Sequence, residues 1–317
     1  MTVATAPFEH KDDKVTEHNP GLVSVVIPTY NRAATLPRAI KSVLAQDYDN
    51  LELIIVDDAS TDETAEVLSH VDDPRMRVIV HEKNKGAAGA LNTGGHAARG
   101  DIIAFQDSDD EWLDGKLSRQ MQALSAAPED CVCVYCMKIV YGRGPDYVRG
   151  KRRIVCVPGP EVEKVSGDMR LALAHKNIVS NQTVVCRRDA FLRVRGFDER
   201  LYNSVDWDFT SRLAALGSFA YVDEPLVNTY IQTDSISRLS PKTPYSQLII
   251  ANKLKRSGIP ATVQADSWAQ LGVMMGRRGY PRRAEVLIRA SLAARPLVAK
   301  TWGRFFLNRL TRLRAAR

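Results

Sequence analysis

The sequence has no run of about 18 uncharged apolar residues, the length that a membrane-spanning helix needs. Residues 1–20, MTVATAPFEHKDDKVTEHNP, also lack the continuous apolar segment of a secretory signal. These absences argue against a spanning helix and a signal peptide, and they predict a cytoplasmic protein. The polar residues 1–20 are predicted to be disordered.

Cysteine is scarce, with five residues in a chain of 317. Cys133 and Cys136 form a C-x-x-C pair inside CVCVYCMKIV, but no second pair is present to complete a zinc site. This segment is predicted to be a strand, in which alternation turns the two thiols to opposite faces. We therefore expect reduced, structural cysteines, as is usual in the cytosol.

Acidic residues are almost missing from the end of the chain. From Gly276 to Arg317 there are twelve Lys or Arg and a single acid, Glu285, a local excess of +11 against +7 for the whole chain. The remainder is therefore net acidic. A basic tail on a nearly neutral body suggests an anionic surface as partner, and no nucleic-acid motif accompanies it. A peripheral contact with an anionic membrane is predicted instead.

Apolar residues make up 44% of the chain, enough for a substantial core. Short, largely apolar runs that are typical of buried strands alternate with segments of helical periodicity. This alternation predicts right-handed crossovers and an α/β fold with a doubly wound, mostly parallel sheet. The predicted strands of this first half are residues 22–27, 51–56, 76–80 and 101–105.

Chemically suggestive residues follow the ends of three of these strands. Tyr30 and Asn31 follow the first, Asp57 and Asp58 the second, and residues 107–110 the fourth. In open α/β sheets, ligands bind at the carboxyl ends of the strands. The three clusters are therefore predicted to converge on one site.

The stretch IIAFQDSDDEW crowds four carboxylates at the end of an apolar run, and these need a counter-charge or water. Asp107 and Asp109 form a D-x-D, which Asp110 extends to D-x-D-D. Mg²⁺ and Mn²⁺ are commonly shared between one or two protein carboxylates and the phosphates of a substrate. The position of this motif at the binding edge of a parallel sheet favours a divalent cation as the counter-charge.

Ser60 and Glu63 have the spacing of a capping box that would open the second helix. That would leave Asp57 and Asp58 free, so that one of them accepts hydrogen bonds from a nucleoside. The ring of Tyr30 either belongs to the core or stacks on a base.

Taken together, four stretches resemble the family 2 glycosyltransferases, which are inverting enzymes with a GT-A fold and nucleotide-sugar donors. The resemblance runs in order from about Leu22 to about Leu239. It is carried by VSVVIPTYNRAATLPRAIKSVLAQ, LELIIVDDASTDET, NKGAAGALNTGGHAARGDIIAFQDSDDEWL and RGFDERLYNSVDWDFTSRLA.

This resemblance implies a role for several residues. Asp58 would contact the base of the donor, and Asp206 would be the general base. Asp107 and Asp109 would meet the ribose and the Mn²⁺ or Mg²⁺ bound to the diphosphate. The nucleoside pocket would be lined by Pro28, Thr29 and Tyr30.

Near the proposed base the chain departs from the family pattern. Val205 stands where a Glu usually precedes the base, so either Asp208 compensates or the base assignment is wrong by a helical turn. Trp207 is either a core residue or a platform for an acceptor sugar. Asn181 begins a formal N-glycosylation sequon, but a place in the acceptor site is preferred.

On the donor side, Leu91 stands where many members of the family have an arginine, which leaves Lys83 or Lys85 as possible substitutes. Gln232 replaces a histidine that often follows the last strand of the sheet. Either one metal or diphosphate contact is then missing, or Arg238 supplies it.

The sequence thus predicts a glycosyltransferase that moves a sugar from a nucleotide sugar, a UDP-sugar above all, to a glycan or lipid-linked acceptor in bacterial polysaccharide synthesis. The alternatives are a sugar nucleotidyltransferase and a degenerate transferase that acts as a subunit. The predicted units are a disordered segment (1–20), a catalytic domain (21–240) with a nucleotide half (21–110) and an acceptor half (111–240), and a basic helical region (241–317).

Overall fold

A computed structural model describes residues 21–142, 153–162, 165–231, 243–299 and 301–305. Within these residues one nine-stranded sheet is flanked by helices. The strands are β1 (Val23–Thr29), β2 (Leu51–Asp57), β3 (Met76–Val80), β4 (Ile102–Phe105), β5 (Glu111–Trp112), β6 (Cys131–Gly142), β7 (Arg153–Val157), β8 (Val184–Arg187) and β9 (Ser218–Tyr230). The helices are α1 (Leu36–Leu44), α2 (Thr64–Ser69), α3 (Gly86–Ala97), α4 (Lys116–Ala126), α5 (Arg170–His175), α6 (Arg188–Arg193), α7 (Val205–Leu213), α8 (Thr243–Arg256), α9 (Ala261–Arg277) and α10 (Pro281–Ala294).

The sheet has the strand order β3-β2-β1-β4-β8-β6-β9-β5, with β7 paired to β6. Strands β1 to β4 are mutually parallel, as their alternation with helices predicts. Beyond β4 the sheet becomes mixed, because β8 is antiparallel to both β4 and β6, while β9 runs parallel to β6. The order reverses at β1, so the ends of β1 and β4 flank the crevice where open α/β sheets bind ligands.

Two apolar clusters cover the two faces of the sheet. Val26 lies in one cluster, whereas Val25 and Ile27 lie in the other, as alternation along a strand requires. The same rule separates Cys133 from Cys136, which lie in different clusters. All five cysteines are free thiols. The prediction of structural cysteines on opposite faces is confirmed.

Helix α3 packs unusually close to the sheet because of its two adjacent glycines. A Cβ atom on Gly94 would lie 2.3 Å from a methyl carbon of Val26, and one on Gly95 would lie 2.4 Å from the ring of Phe191. Real Cβ atoms do not approach other heavy atoms this closely. The two glycines therefore set the distance between α3 and its neighbours on either side.

The predicted capping box at the start of α2 is wrong. Helix α2 begins at Thr64, and the carboxylate of Asp62 accepts hydrogen bonds from the backbone N–H and the hydroxyl of Thr64 at 3.1 and 2.6 Å. Ser60 instead donates its N–H and its hydroxyl to Asp57. One carboxylate oxygen of Asp57, Oδ1, therefore holds the loop after β2.

The C-terminal helices are anchored to α7 by a partly buried ion-pair network. The ammonium of Lys253 on α8 lies 2.6 Å from Asp208 on α7 and 2.7 Å from Asp198. Asp208 is also paired with Arg212 at 2.7 Å, one helical turn further on. Removing one partner from a buried pair is strongly destabilising, so this network fixes α8 against α7.

Helices α9 and α10 confirm the helical character predicted for the end of the chain. They pack closely, since Gly272 on α9 faces Ile288 on α10. In the described part of the chain, no helix is both long and apolar enough to cross a membrane. Gln232, Arg238 and residues 306–317 lie outside the described residues.

Candidate active site

The ends of β1, β2 and β4 bring the three predicted clusters together. Thr29 at the end of β1 lies beside Asp57 at the end of β2, and its carbonyl accepts the N–H of Asp58 at 2.9 Å. On the other side of β1, the N–H of Gln106 donates to the carbonyl of Val26 at 3.0 Å. The D-x-D therefore begins one residue beyond a position directly hydrogen-bonded to β1.

Two of the four crowded carboxylates are held by neutral donors from β9 and its surroundings. Asp110 is buried and accepts hydrogen bonds from the side chains of Gln182 and Thr229 and from the N–H of Tyr230. Glu111 accepts the hydroxyl of Tyr230 at 2.9 Å. These two acids tie the loop to β9 and are structural.

Asp107 is the most strongly perturbed acid of the cluster. Burial raises its pKa well above the usual value for an aspartate, and the charges of Asp110 and Asp109 raise it further. Burial and the charge of Asp109 also raise the pKa of Asp110, to about 6. A cation placed against Asp107 and Asp109 would relieve this repulsion.

Lys138 on β6 is the protein's own positive charge facing these acids. Its ammonium lowers the pKa of Asp107, of Asp110 and of Asp206, so it acts on both the D-x-D loop and the start of α7. The charge of Asp206 in turn raises the pKa of Asp107. The candidate base and the candidate metal ligands are therefore close enough for their charges to interact.

Asp206 lies in the first turn of α7, where its carboxylate is fixed by two donors. The backbone N–H of Trp207 donates to its Oδ1 at 2.8 Å, and the side chain of Asn177 donates a second hydrogen bond. Burial raises the pKa of Asp206, and Lys138 and these hydrogen bonds oppose the rise. A held carboxylate with a raised pKa suits a general base.

Asp208 is not placed to replace Asp206. It is buried, with 1% of its surface exposed, and its two oxygens are occupied by Lys253 and by Arg212. Two residues along a helix correspond to about 200°, so Asp206 and Asp208 point in nearly opposite directions. Val205 packs against the apolar clusters on both sides of α7. The departure from the family pattern at this position is thus an added core contact.

On the donor side, Tyr30 offers an accessible aromatic ring, with 45% of its surface exposed. Thr29 is buried, and its hydroxyl has no hydrogen-bond partner within the described residues. Pro28, which precedes Thr29 in β1, is half-buried. This arrangement excludes Tyr30 from the core and leaves it available for stacking.

Asp58 is much more tightly held than its predicted role suggests. It is 2% exposed, and its carboxylate accepts hydrogen bonds from the ring of His81 and from the N–H groups of Lys85 and Gly86, each at 2.7 to 2.8 Å. A carboxylate has about four acceptor sites, so about one remains. Asp58 thus fixes the loop that starts α3, and the side chain of Lys85 is exposed at this point.

Leu91 is 1% exposed and belongs to the main apolar cluster. The side chain points into the core, so this position supplies no donor contact in this chain. The exposed side chains of Lys83 and Lys85 lie in the loop before α3.

Several buried polar atoms around the crevice have no partner in the described part of the chain. They are the hydroxyl of Thr29, both amide atoms of Gln106, and the side-chain oxygens of Asn177 and Asn181. An unsatisfied buried group costs about 1 to 3 kcal/mol, so such atoms concentrated at one edge are suited to bind a polar ligand. Asn181 is 7% exposed, which also argues against the glycosylation sequon.

The residues present fit a shared divalent cation. Among the described residues, no group of three or more His, Cys, Asp or Glu could hold a metal ion alone. Mg²⁺ and Mn²⁺ do not need such a cage when the phosphates of the substrate supply the other oxygens. Asp107 and Asp109 supply carboxylate oxygens, and their charges repel each other. Both properties match this mode of cation binding.

Arg38 on α1 holds the backbone of the D-x-D loop. Its guanidinium donates to the backbone carbonyl of Asp109 and lies 4.2 Å from the centre of the ring of Tyr230. No sequence motif pointed to Arg38, Lys138 or Asn177. The only sequence signal for Lys138 is that it is a lone charge in an apolar strand. No local signal indicated Asn177.

The chain belongs to glycosyl transferase family 2, whose family model matches residues 24–195. WfaP of Escherichia coli, a UDP-Glc:alpha-D-GlcNAc-diphosphoundecaprenol beta-1,3-glucosyltransferase, is 44% identical over 100 residues, which are 32% of this chain and 40% of WfaP. The succinoglycan biosynthesis protein ExoO of Rhizobium meliloti is 43% identical over 105 residues, 33% of this chain and 30% of ExoO. Relatives of this chain thus act in bacterial polysaccharide synthesis, but the matched segment spans well under half of each.

Solved structures share the fold at low sequence identity. S. aureus TarS in complex with UDP-GlcNAc has a TM-score of 0.65 at 17% identity, covering 90% of this chain and 89% of TarS. The mannosyltransferase PcManGT from Pyrobaculum calidifontis, in complex with GDP-Man and Mn²⁺, has a TM-score of 0.58 at 18% identity, covering 96% and 90%. The predicted GT-A fold is confirmed.

Proposed function

We propose that this chain is an inverting glycosyltransferase that transfers a sugar from a UDP-sugar to a glycan or lipid-linked acceptor in bacterial polysaccharide synthesis. One observation carries the proposal: the charges of Asp206 and Asp107 interact with each other, and both interact with the ammonium of Lys138. It supports a base close to an acidic pair that is suited to share a divalent cation with the phosphates of the donor. The activity of WfaP as a glucosyltransferase supports a UDP-sugar donor and a lipid-linked acceptor.

The reaction is a single displacement at the anomeric carbon. Asp206 accepts the proton of the acceptor hydroxyl, and the hydroxyl oxygen forms a bond to the anomeric carbon. The bond from that carbon to the diphosphate oxygen breaks on the opposite side, so the configuration inverts and UDP leaves. The raised pKa of Asp206 makes it a stronger base than an ordinary aspartate.

Mn²⁺ or Mg²⁺ held by Asp107 and Asp109 would neutralise the charge on the departing diphosphate. For the nucleoside, the exposed ring of Tyr30 stacks on the base, and Pro28 and the hydroxyl of Thr29 line the pocket. The last acceptor site of Asp58 would take a base N–H. Lys85 would reach the phosphates from the start of α3.

A nucleotide-sugar screen by thermal unfolding tests the donor assignment. Ligands that bind the native state stabilise it by about 2.7 kcal/mol at a concentration 100 times Kd. We expect UDP-sugars to raise Tm in the presence of Mn²⁺ and to have a much smaller effect in EDTA. A chain for which no nucleotide sugar raises Tm under either condition would not be a transferase of this kind.

We further propose that the basic C-terminal region attaches the enzyme to an anionic membrane. On α10, Arg282, Val286 and Arg289 are exposed and recur at helical spacing, opposite a buried face that packs on α9. Leu297 is 97% exposed. Mixed basic and apolar exposure of this kind suits a helix that lies at a lipid surface.

Not every apolar side chain described in this region is exposed. Leu292 and Phe305 are each 8% exposed and pack together with Ile288. Val286, Leu297 and Trp302 remain exposed. Deleting α10 would uncover the apolar side of α9, where Ala284 packs on Leu271 and Met275, so a truncated chain is a poor test.

Charge reversal gives a cleaner test of membrane attachment. Each basic residue near an anionic leaflet contributes about 1 kcal/mol, so we expect Arg277→Glu with Arg282→Glu to reduce flotation with anionic vesicles at least tenfold. The matched control reverses two exposed basic residues of the catalytic region, Lys41→Glu with Arg99→Glu. Equal flotation of the two double variants, or no salt dependence in the unaltered chain, would contradict the proposal.

A further inference from the structure

A cavity of about 360 Å³ lies where the C-terminal helices meet the catalytic region. Its walls come from the end of α5 and the loop that follows, from the start of α7, and from one side of α8 and α9. Small-ligand sites typically measure about 300 to 1,000 Å³. The cavity is therefore large enough for a ligand, and it is separate from the donor side of the crevice.

Two residues of the cavity wall also hold the carboxylate of Asp206. Asn177 donates its side-chain amide to Asp206, and Trp207 donates its backbone N–H to the same carboxylate. The wall of the cavity is thus one hydrogen bond away from the candidate base. A ligand in the cavity would lie beside the group that must receive the acceptor's proton.

The cavity wall carries buried hydrogen-bond acceptors that lack donors. Within the described residues, the side-chain oxygens of Asn177 and Gln264 have no partner, although Gln264 is 1% exposed. The amide nitrogen of Gln264 is already used, since it donates to the carbonyl of Ile259 at 3.1 Å. Two unpaired carbonyl oxygens beside the cavity favour a ligand that presents hydroxyl groups, once the two side chains turn towards it.

The fixed charges of the wall are already neutralised. Lys176 is paired with Glu161 at 2.8 Å, and Asp266 is paired with Arg295 at 2.8 Å. Lys176 is therefore not an unpaired cation for a phosphate or carboxylate, and Asp266 is not an unpaired anion for an amine. The lining therefore favours an uncharged ligand.

The cavity also offers aromatic surface. Trp207 and Trp268 both contribute to the wall. The indole N–H of Trp207 donates to the carbonyl of Leu173 at 2.6 Å, which fixes the ring and leaves its face for packing. A tryptophan face beside hydrogen-bond acceptors combines the apolar and polar contacts that the two sides of a sugar ring require.

We propose that this cavity binds an uncharged sugar unit of the acceptor, packed on Trp207 and hydrogen-bonded to Asn177 and Gln264. The hydroxyl that reacts would reach Asp206 past Asn177 and Trp207, which lie between the cavity and that carboxylate. The inference rests on the proposed function and extends it, because it places the acceptor at the junction with α8 and α9. Helices α8 and α9 are then part of the active site as well as a support for membrane attachment.

Filling the cavity tests this assignment. Ala251 on α8 lines the cavity, whereas the next residue, Asn252, is exposed and outside it. The probes are the methyl glycosides of glucose, galactose, mannose and N-acetylglucosamine, observed by saturation-transfer NMR with UDP and Mn²⁺ present. We expect at least one glycoside to give a signal that Ala251→Phe abolishes and Asn252→Phe retains.

A parallel UDP titration separates this inference from the proposed function. Both variants should bind UDP in Mn²⁺ as tightly as the unaltered chain, since the substitutions lie away from the D-x-D loop. If Ala251→Phe does not fold, Ala251→Leu fills less of the cavity and should weaken glycoside binding at least several-fold. Glycoside signals that survive the substitution at Ala251, or no signal from any of the four probes, would overturn the assignment while UDP binding still supported a transferase.

Discussion

Replacing Asp206 by Asn is expected to lower kcat for sugar transfer about 10²-fold or more, with little change in donor affinity. General base catalysis contributes about 10² to 10⁴ in rate, and an amide cannot accept the proton of the acceptor hydroxyl. The Asn side chain has the same shape and can still accept the N–H of Trp207. The loss should therefore appear in kcat and not in the Kd for UDP.

The matched control is Asp208→Asn, two residues along the same helix. Asp208 is buried between Lys253 and Arg212, so the substitution leaves these cations without their full partner. Disrupting a buried pair costs about 3 to 5 kcal/mol, which should appear as a lower midpoint of urea unfolding. Folded Asp208→Asn should retain most of its kcat. If it loses more activity than Asp206→Asn, the base has been assigned to the wrong residue.

The first half of the fold could be predicted from the sequence because its signals are local. Each of β1 to β4 is a short apolar run, and the segments between them have helical periodicity, so the order of elements and the parallel pairing follow. The edge at which the D-x-D lies follows from the same pattern. For this reason the positions of Thr29, Asp58 and Asp107 at one edge were predictable.

The partners of these residues were not predictable, because they come from distant parts of the chain. Lys138 reaches the acidic cluster only because β6 pairs with β9, and Asn177 reaches Asp206 only because α5 packs beside α7. The internal hydrogen bonds of Asp58 depend on the loop after β3 folding back over β2. Sequence spacing contains no information about such contacts.

At two positions, local sequence motifs did not correspond to the structure. Ser60 has the spacing of a capping residue, but Asp62 is nearer to the first turn of α2 and its carboxylate takes the Thr64 N–H. Leu91 aligns with a position that often carries arginine, yet helical periodicity already places it on the face of α3 that packs on the sheet. In both cases the geometry of the helix outweighed the motif.

Replacing Asp109 by Ala should abolish the Mn²⁺-dependent part of UDP binding while leaving the fold intact. Loss of a residue that merely orients a metal ligand costs about 10 to 100-fold in affinity, so loss of a direct ligand should cost at least as much. Isothermal titration of UDP in Mn²⁺ and in EDTA measures the difference. The exposed Asp114, five residues further along, gives the matched control Asp114→Ala, which should bind UDP normally.

The same substitution should not destabilise the protein in the absence of metal. The charge of Asp109 raises the pKa of both Asp107 and Asp110, so the ionised cluster is unfavourable in the folded chain at neutral pH. A carboxyl group with a raised pKa binds more protons when folded, so its ionisation makes stability fall as the pH rises through about 4 to 6. Removing Asp109 relieves this repulsion, and the Tm of Asp109→Ala in EDTA at pH 7 should equal or exceed that of the unaltered chain. A lower Tm together with unchanged UDP affinity in Mn²⁺ would show that Asp109 is a structural residue and that the D-x-D does not bind the metal.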